Sequence, residues 1–224
     1  MPIRSFPDRQ LLVAASIVAV LLAGAVVFVA GSLDRPRPPE YAPSPSLTAE
    51  LGGKLVGPRL TTVDATHERD WAFFDFSRAS AVERPGPLEW DLAFRRSRIL
   101  VNGGGGFPGR GGVADLGEVP FENVAEAPPT GYRGTEAGRD SVQPDLDGWY
   151  DYGFTSHLLT ARPRVYAIRS ADGRYAKLQM VSYYCPGARG GCPTFRWVYQ
   201  GDGTRSLADA AVEGGRPGRY TVPP

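Results

Sequence analysis

The longest hydrophobic pattern in the chain is an apolar run from Leu11 to Gly31 that contains no charged residue. At about 1.5 Å per residue, a helix over this run is roughly 31 Å long, close to the hydrocarbon thickness of a bilayer. The apolar core of a cleaved signal peptide is shorter, about 7 to 15 residues. The pattern therefore predicts an uncleaved transmembrane helix at residues 11–31.

Small side chains in this span include Ala15, Ala19, Ala23 and Gly24. Small residues let two membrane helices approach closely, so these four are the candidate positions for packing against another helix. Arginines stand on both sides of the span, and the positive-inside rule alone does not decide its orientation.

Apolar and polar residues alternate with a period of two from Trp90 onwards. Trp90, Leu92 and Phe94 fall on one face of a strand, and the residues between them fall on the other. The alternation breaks at residues 95–97, which predicts a bend or bulge before a second short strand at 99–101. We expect the three large apolar side chains to lie in a core.

Three more strands are predicted at residues 165–169, 175–184 and 194–200. The first two flank Asp172-Gly173, and an Asp-Gly pair between alternating segments is a strong hairpin pattern. The 28 glycines and 21 prolines are spread between aromatic-rich segments, which indicates many turns between short strands. The soluble part is therefore predicted to be all-β, with an antiparallel meander.

Composition divides the chain into four parts. These are a tail at 1–10, the transmembrane helix at 11–31, a proline-rich spacer at 32–46 and a β-domain at 47–224. The prolines make the spacer extended, at about 3.1 Å per residue. Residues 103–147 are rich in Gly and Pro without periodicity, which predicts irregular loops whose role stays open.

Two cysteines, Cys185 and Cys192, bracket a glycine-containing loop. A disulfide between them would form in an oxidising compartment. Free thiols are the alternative, and a zinc site lacks the histidine partners that it needs. We predict the disulfide, and with it a cytoplasmic N-terminus and an extracytoplasmic domain.

Catalytic and cofactor motifs are scarce. The net charge of +1 gives no electrostatic basis for binding nucleic acid. Residues 104–109 fit the glycine spacing of a dinucleotide site, but Pro108 and the following glycines prevent the helix that such a site needs. Only two histidines exist, His67 and His157, too few for most metal or acid-base constellations. We expect neither an enzyme nor a metal site.

Several short motifs follow one another along the β-domain, at residues 90–96, 99–104, 111–113, 165–169, 172–178, 182–184 and 194–197. In this order they resemble the HmuY-like haem-binding proteins, which are bacterial cell-surface or periplasmic all-β proteins. The resemblance implies an HmuY-like antiparallel β-domain. It also implies haem capture through a pair of histidines or of methionines. After the glycine run this chain has one histidine, His157, and one methionine, Met180, so no matching pair carries over.

The missing ligand pair and the uncleaved span favour a non-enzymatic accessory subunit of a larger bacterial membrane complex, photosynthetic or respiratory, with no cofactor. Its helix would pack against integral membrane proteins in the inner-membrane bilayer, and its β-domain would cover their periplasmic face. Arg95, Arg96 and Arg98 are the candidate partner contacts. The alternative is a membrane-tethered haem or tetrapyrrole binder that uses His157.

Overall fold

The computed structural model describes residues 8–33, 36–46, 55–138 and 141–208 of the chain. The chain forms two compact units. The first comprises Met1–Arg37 and Tyr152–Leu158, and the second comprises Pro38–Asp151 and Leu159–Pro224, in each case as far as these ranges are described.

The described ranges contain one long helix, two short helical turns and eleven strands. In chain order they are α1 (Asp8–Leu33), β1 (Leu55–Thr62), β2 (Ala72–Asp75), β3 (Ser80–Val82), β4 (Leu92–Arg95), β5 (Arg98–Val101), β6 (Gly112–Asp115), a 3-10 turn (Phe121–Asn123), α2 (Pro144–Asp147), β7 (Tyr150–Tyr152), β8 (Leu159–Ala161), β9 (Val165–Arg169), β10 (Tyr175–Cys185) and β11 (Arg189–Gln200).

The first unit is built on α1, whose side chains are exposed along nearly its whole length. The helix begins before the predicted span at 11–31 and ends after it. By its length and apolar composition, α1 could span a membrane. The unit also contains the segment Tyr152–Leu158, where the ring of Phe154 lies 6.3 Å from that of Phe28.

The larger sheet of the second unit has five strands in the order β1-β11-β10-β9-β6, all paired antiparallel with their neighbours. Strands β9, β10 and β11 confirm the predicted meander. The β9–β10 turn contains Gly173 at φ +90°, a left-handed conformation that glycine adopts without a Cβ clash. Cys185 and Cys192 form the predicted disulfide between β10 and β11.

The smaller sheet has the order β3-β2-β4-β5 and packs against the larger one through buried aromatic rings. Phe74 of β2 makes edge contacts with Phe195 at 5.2 Å and with Trp197 at 5.7 Å, both on β11. Phe94 of β4 stacks on Phe195 at 5.4 Å. The strands confirm the predicted all-β fold. The sequence did not predict that they form two stacked sheets, with these rings filling the space between the layers.

The predicted break at residues 95–97 is a tight hairpin turn. Arg95 pairs with Arg98, and Arg96 between them has φ +55°. The segment before the turn was expected to bury one face, but both are buried. Phe94 faces the larger sheet, whereas Trp90 packs on the opposite side with Ala93. A loop residue, Phe107, covers this second face, with its ring 5.4 Å from that of Trp90.

A buried carboxylate, Asp91, connects the two sheets. Its two oxygens accept hydrogen bonds from the backbone N–H of Phe76, at 2.9 Å, and from that of Ala171, at 2.7 Å. Phe76 follows β2 of the smaller sheet, and Ala171 lies in the β9–β10 turn of the larger one. Burial, with a further contribution from the charge of Asp75, raises the pKa of the Asp91 carboxyl from its ordinary 3.8 to about 7.

The described part of the proline-rich spacer within the second unit is bonded to the sheet. Tyr41 donates from its backbone to the carbonyl of Tyr184 at 2.9 Å, and Ser44 donates likewise to Thr62 at the same distance. The Ser182 hydroxyl donates to the carbonyl of Pro39. Proline cannot donate from its own nitrogen, so the bonds from the spacer come from the residues between the prolines.

A buried lysine holds part of the irregular region at 103–147. Lys177 in β10 is only 1% exposed, and its ammonium donates to the carbonyls of Phe121 at 3.1 Å and Val124 at 2.9 Å. It also lies 4.6 Å from the centre of the Phe121 ring. These contacts fix the 3-10 turn on the sheet.

The Asp91 bridge gives the first testable prediction. Between about pH 4 and 7 the folded chain binds a proton on Asp91 that the unfolded chain releases. Binding of this proton stabilises the folded state, and the stabilisation is complete below about pH 4 and is lost as the pH rises through about 7. Asp91→Asn does not titrate, and its single acceptor oxygen leaves one of the two N–H groups unpaired, at a cost of about 1–3 kcal/mol.

The measurement is urea unfolding of the full chain in detergent, followed by tryptophan fluorescence at several pH values. The excess stability of the wild type over Asp91→Asn is expected to be largest near pH 4 and to shrink towards pH 7. An excess that grows with pH would contradict the assignment.

Candidate functional site

The candidate site lies on the hairpin formed by β7 and β8. Its base is fixed within the second unit, where Arg162 donates to the Trp149 carbonyl at 2.9 Å and Leu159 donates to the Tyr184 hydroxyl at 2.8 Å. Trp149 is fully buried, and its indole N–H donates to the carbonyl of Ser97 at 2.8 Å. The base is therefore attached to the turn between β4 and β5.

The tip of the hairpin closes through its own backbone. Gly153 donates to the carbonyl of Leu158 at 2.8 Å, and His157 donates to the carbonyl of Gly153 at 2.7 Å. His157 has φ +56°, a left-handed conformation that is uncommon for a residue with a side chain. These bonds hold His157 in that conformation at an exposed position.

His157 is paired with Tyr152 across the tip. Its Nδ1 lies 2.5 Å from the Tyr152 hydroxyl, and either group can donate this hydrogen bond. In the described part of the chain, the other ring nitrogen, Nε2, has no hydrogen-bond partner. When Nδ1 donates the proton, Nε2 carries a lone pair that can bind a metal.

The second histidine, His67, is also bonded through Nδ1, but to its own backbone neighbours. The backbone N–H groups of Asp70 and Arg69 lie 3.0 Å and 3.3 Å from this nitrogen. An oxygen of the Asp70 carboxylate lies 3.2 Å from it as well. The two histidines therefore differ in what surrounds Nδ1, which is a tyrosine hydroxyl for His157 and a turn of the backbone with a carboxylate for His67.

Met180, the methionine that follows the glycine run, is only 3% exposed and pairs with Phe195 in the sheet. Its thioether belongs to the core and cannot reach a large ligand without unfolding β10. Among the described residues, no three His, Cys, Asp or Glu side chains converge on a possible metal position. His157 is therefore not part of such a cluster in the described ranges.

The three predicted partner-contact residues, Arg95, Arg96 and Arg98, lie together in a cleft of about 420 Å³. Glu68, Arg69 and Ser97 complete its lining. Four arginines against one glutamate give the cleft a positive charge, which attracts anions. A role in partner contact stays a prediction.

Several of these arginines already bind their own chain. Arg96 donates to the carbonyls of Gly190 at 2.9 Å and Thr66 at 3.3 Å, and Arg98 donates to that of Ser141 at 2.9 Å. Arg95 lies over the ring of Trp71, 4.4 Å from its centre. These contacts give the arginines a structural role. Arg96 links the segment between the two bridged cysteines, through Gly190, to the loop before β2, through Thr66.

The glycine run after β5 serves the fold. A Cβ on Gly103 would lie 2.1 Å from the carbonyl oxygen of Gly111, so only glycine allows these backbones to approach. The small residues Ala15, Ala19, Ala23 and Gly24 all lie exposed on α1, and their role in helix packing stays a prediction.

Sequence reasoning singled out His157 but missed Tyr152 as its partner. The two are five positions apart, on opposite sides of a hairpin turn that has no Asn-Gly or Asp-Gly pair to mark it. The sequence pattern that could have indicated this pair is a tyrosine-rich strand that ends a few residues before an isolated histidine.

Comparison with known proteins adds a family. A family model described as "HmuY protein" matches residues 67–197, more than half of the chain. No curated protein matches the sequence.

Three solved structures have a similar fold. An apo HmuY analog of Tannerella forsythia is 16% identical, with a TM-score of 0.54 over 67% of this chain and 99% of that one. A candidate lipoprotein of Bacteroides fragilis is 19% identical, with a TM-score of 0.51 over 72% and 98%. A candidate HmuY-like haem-binding protein of Bacteroides vulgatus is 21% identical, with a TM-score of 0.49 over 67% and 98%. At these identities the likeness shows the fold alone.

These findings correct two predictions. The main functional prediction, an accessory subunit of a photosynthetic or respiratory membrane complex, is wrong, because the family match favours the haem-binding alternative. The prediction that the chain has no cofactor is wrong for the same reason. The resemblance in fold is confirmed.

The contacts of Arg96 generate a second prediction. Arg96→Met removes the donor that joins Thr66 to Gly190 and is expected to lower the unfolding free energy by about 1–3 kcal/mol. Arg69→Met, in the same cleft, removes an exposed side chain and should change it by no more than about 0.5 kcal/mol. Urea unfolding of both full-length variants provides the comparison, and equal effects would show that the Arg96 contacts carry no stability.

Proposed function

This chain belongs to the HmuY family, and on that premise we propose that it is a membrane-tethered haem-binding protein with its ligand site at the tip of the β7–β8 hairpin. Family membership is the observation that carries the proposal, because haem capture is the activity that the family resemblance implies. The hairpin tip supports the proposal because the imidazole of His157 is exposed there and is hydrogen-bonded through Nδ1 to Tyr152.

The residues at the tip fit one side of a haem. Haem would supply an iron that an imidazole nitrogen can bind. His157 Nε2 would hold the iron, while Nδ1 is occupied by Tyr152. Phe154 at the same tip is 72% exposed, with its ring 6.3 Å from that of Phe28 on α1, so the aromatic surface that it offers lies beside the membrane helix. The donor set does not fit the family's histidine or methionine pair.

The proposal is one of binding without catalysis. Among the carboxyl groups of the described residues, the one with a strongly raised pKa, Asp91, is buried between the sheets with both oxygens bonded to backbone N–H groups. Such a group is a structural bridge and not an acid or base for a substrate.

The proposed location is the bacterial inner membrane, with a single pass, a cytoplasmic N-terminus and a periplasmic domain. The apolar helix α1 supports membrane association, and the Cys185–Cys192 disulfide supports an oxidising compartment for the domain. In this proposal the chain contacts the lipid bilayer through α1 and does not bind nucleic acid.

The test is a haemin titration of the full chain in detergent micelles, followed by Soret absorption and corrected for empty micelles. The wild type is expected to shift the Soret band. Loss of the hydrogen-bond partner of a ligand lowers affinity by about 10- to 100-fold. His157→Ala removes the ligand itself, so it should lower the haemin affinity by more than that.

His67→Ala is the matched control, since it also removes one exposed imidazole, and it should bind haemin as the wild type does. Absence of any Soret shift in the wild type would overturn the proposal. Loss of binding in His67→Ala alone would move the site away from the hairpin.

A further inference from the structure

The tip of the β7–β8 hairpin is a short segment without charged side chains. Residues 152–158 contain no Asp, Glu, Lys or Arg, although these four types make up 22% of the chain. The nearest charged residues on either side, Asp151 and Arg162, form an ion pair with each other at 2.7 Å. Charged side chains are costly to place in the apolar part of a bilayer. The tip therefore lacks the groups that would keep it in water.

Phe154 at this tip is the most exposed large apolar side chain outside α1 among the described residues. Within the first unit, its ring lies 6.3 Å from that of Phe28. Phe28 stands three positions before Gly31, where the uncharged apolar run ends. At about 1.5 Å per residue, Phe28 is roughly 4.5 Å inside that end of the span. When α1 crosses a bilayer, a ring beside Phe28 lies at the boundary between hydrocarbon and headgroups.

The other two rings of the tip, those of Tyr152 and His157, suit the same boundary. Each combines an apolar ring with polar atoms, and the Tyr152 hydroxyl lies 2.5 Å from Nδ1 of His157. Tyrosine is enriched at membrane–water interfaces, because its ring contacts apolar groups while its hydroxyl stays in a polar layer. Tyr152 is 54% exposed, so its ring is available for such a contact.

From these features we propose that the hairpin tip, residues 152–158, is a second membrane contact of the chain, with Phe154 inserted into the bilayer interface beside α1. The partner is the lipid surface itself. The single ring contact with Phe28 leaves most of the Phe154 side chain exposed, so lipid can cover it. The inference rests on the proposed membrane location of α1, and it holds whether or not haem binds.

The test places an environment-sensitive nitrobenzoxadiazole label on the tip of the full chain, in phosphatidylcholine vesicles without haemin. The two natural cysteines are bridged, so Thr155→Cys introduces the one free thiol. Thr155 is exposed and adjacent to Phe154, which the label leaves in place. With iodide on both sides of the membrane, the label should be shielded from quenching. Phosphatidylcholine that carries a nitroxide near the headgroup should quench it.

Two substitutions in this labelled chain identify the side chain that makes the contact. Phe154→Ser is expected to increase iodide quenching several-fold, because the ring no longer draws the tip into the interface. Leu88→Ser is the matched control, since it also removes an exposed apolar side chain, and it should leave the quenching unchanged. Equal shielding in the wild type and in Phe154→Ser would overturn the role of Phe154.

A label at Val20→Cys, in the middle of α1, separates the inference from the proposed location. If iodide quenches this label, α1 does not span the membrane and the proposed location fails. If this label is shielded while iodide quenches the label at Thr155→Cys as strongly as in Phe154→Ser, the hairpin contact fails and the location stands. Shielding at Thr155→Cys without quenching by the nitroxide lipid would indicate a protein contact and would also overturn the inference.

Discussion

The two-layer structure depends on the buried carboxyl group of Asp91, because its two oxygens accept hydrogen bonds from backbone N–H groups of both sheets at once. An unpaired N–H at either position would be buried without water, and that cost keeps the β9–β10 turn against the smaller sheet. Asp91 also precedes the β4–β5 hairpin, whose turn residue Ser97 accepts the indole N–H of Trp149. The base of the β7–β8 hairpin is thus attached to an element that the buried carboxylate fixes.

The sheet core was predictable because its strands follow simple patterns. Alternation, an Asp-Gly turn and two nearby cysteines located β9, β10 and β11 and their disulfide. Burial of both faces around β4 was not predictable, since the residue that covers the second face, Phe107, comes from an irregular loop. The sequence likewise predicts that Lys177, a charged residue in a strand, is exposed. It is buried because the tertiary structure brings the carbonyls of Phe121 and Val124 to its ammonium group.

The candidate site could be predicted only in part. His157 stood out because histidines are scarce, but its hydrogen bond with Tyr152 forms across a hairpin with no marked turn sequence. Both histidines are bonded through Nδ1, and they differ in the partner of that nitrogen, which is the Tyr152 hydroxyl for His157 and backbone N–H groups for His67; no sequence pattern reports that difference. Treating the missing ligand pair as evidence against haem led to the wrong main function, because one ordered imidazole can hold an iron.

Hydrogen–deuterium exchange of the full chain, with and without haemin, tests the central claim most directly, because it locates the ligand without any substitution. If haem binds at the hairpin tip, the backbone amides of residues 150–161, including those of Gly153 and His157, should exchange more slowly when haemin is present, and the other described segments should not change. Protection confined to the arginine-lined cleft at residues 68–69 and 95–98, with none at the tip, would contradict the account.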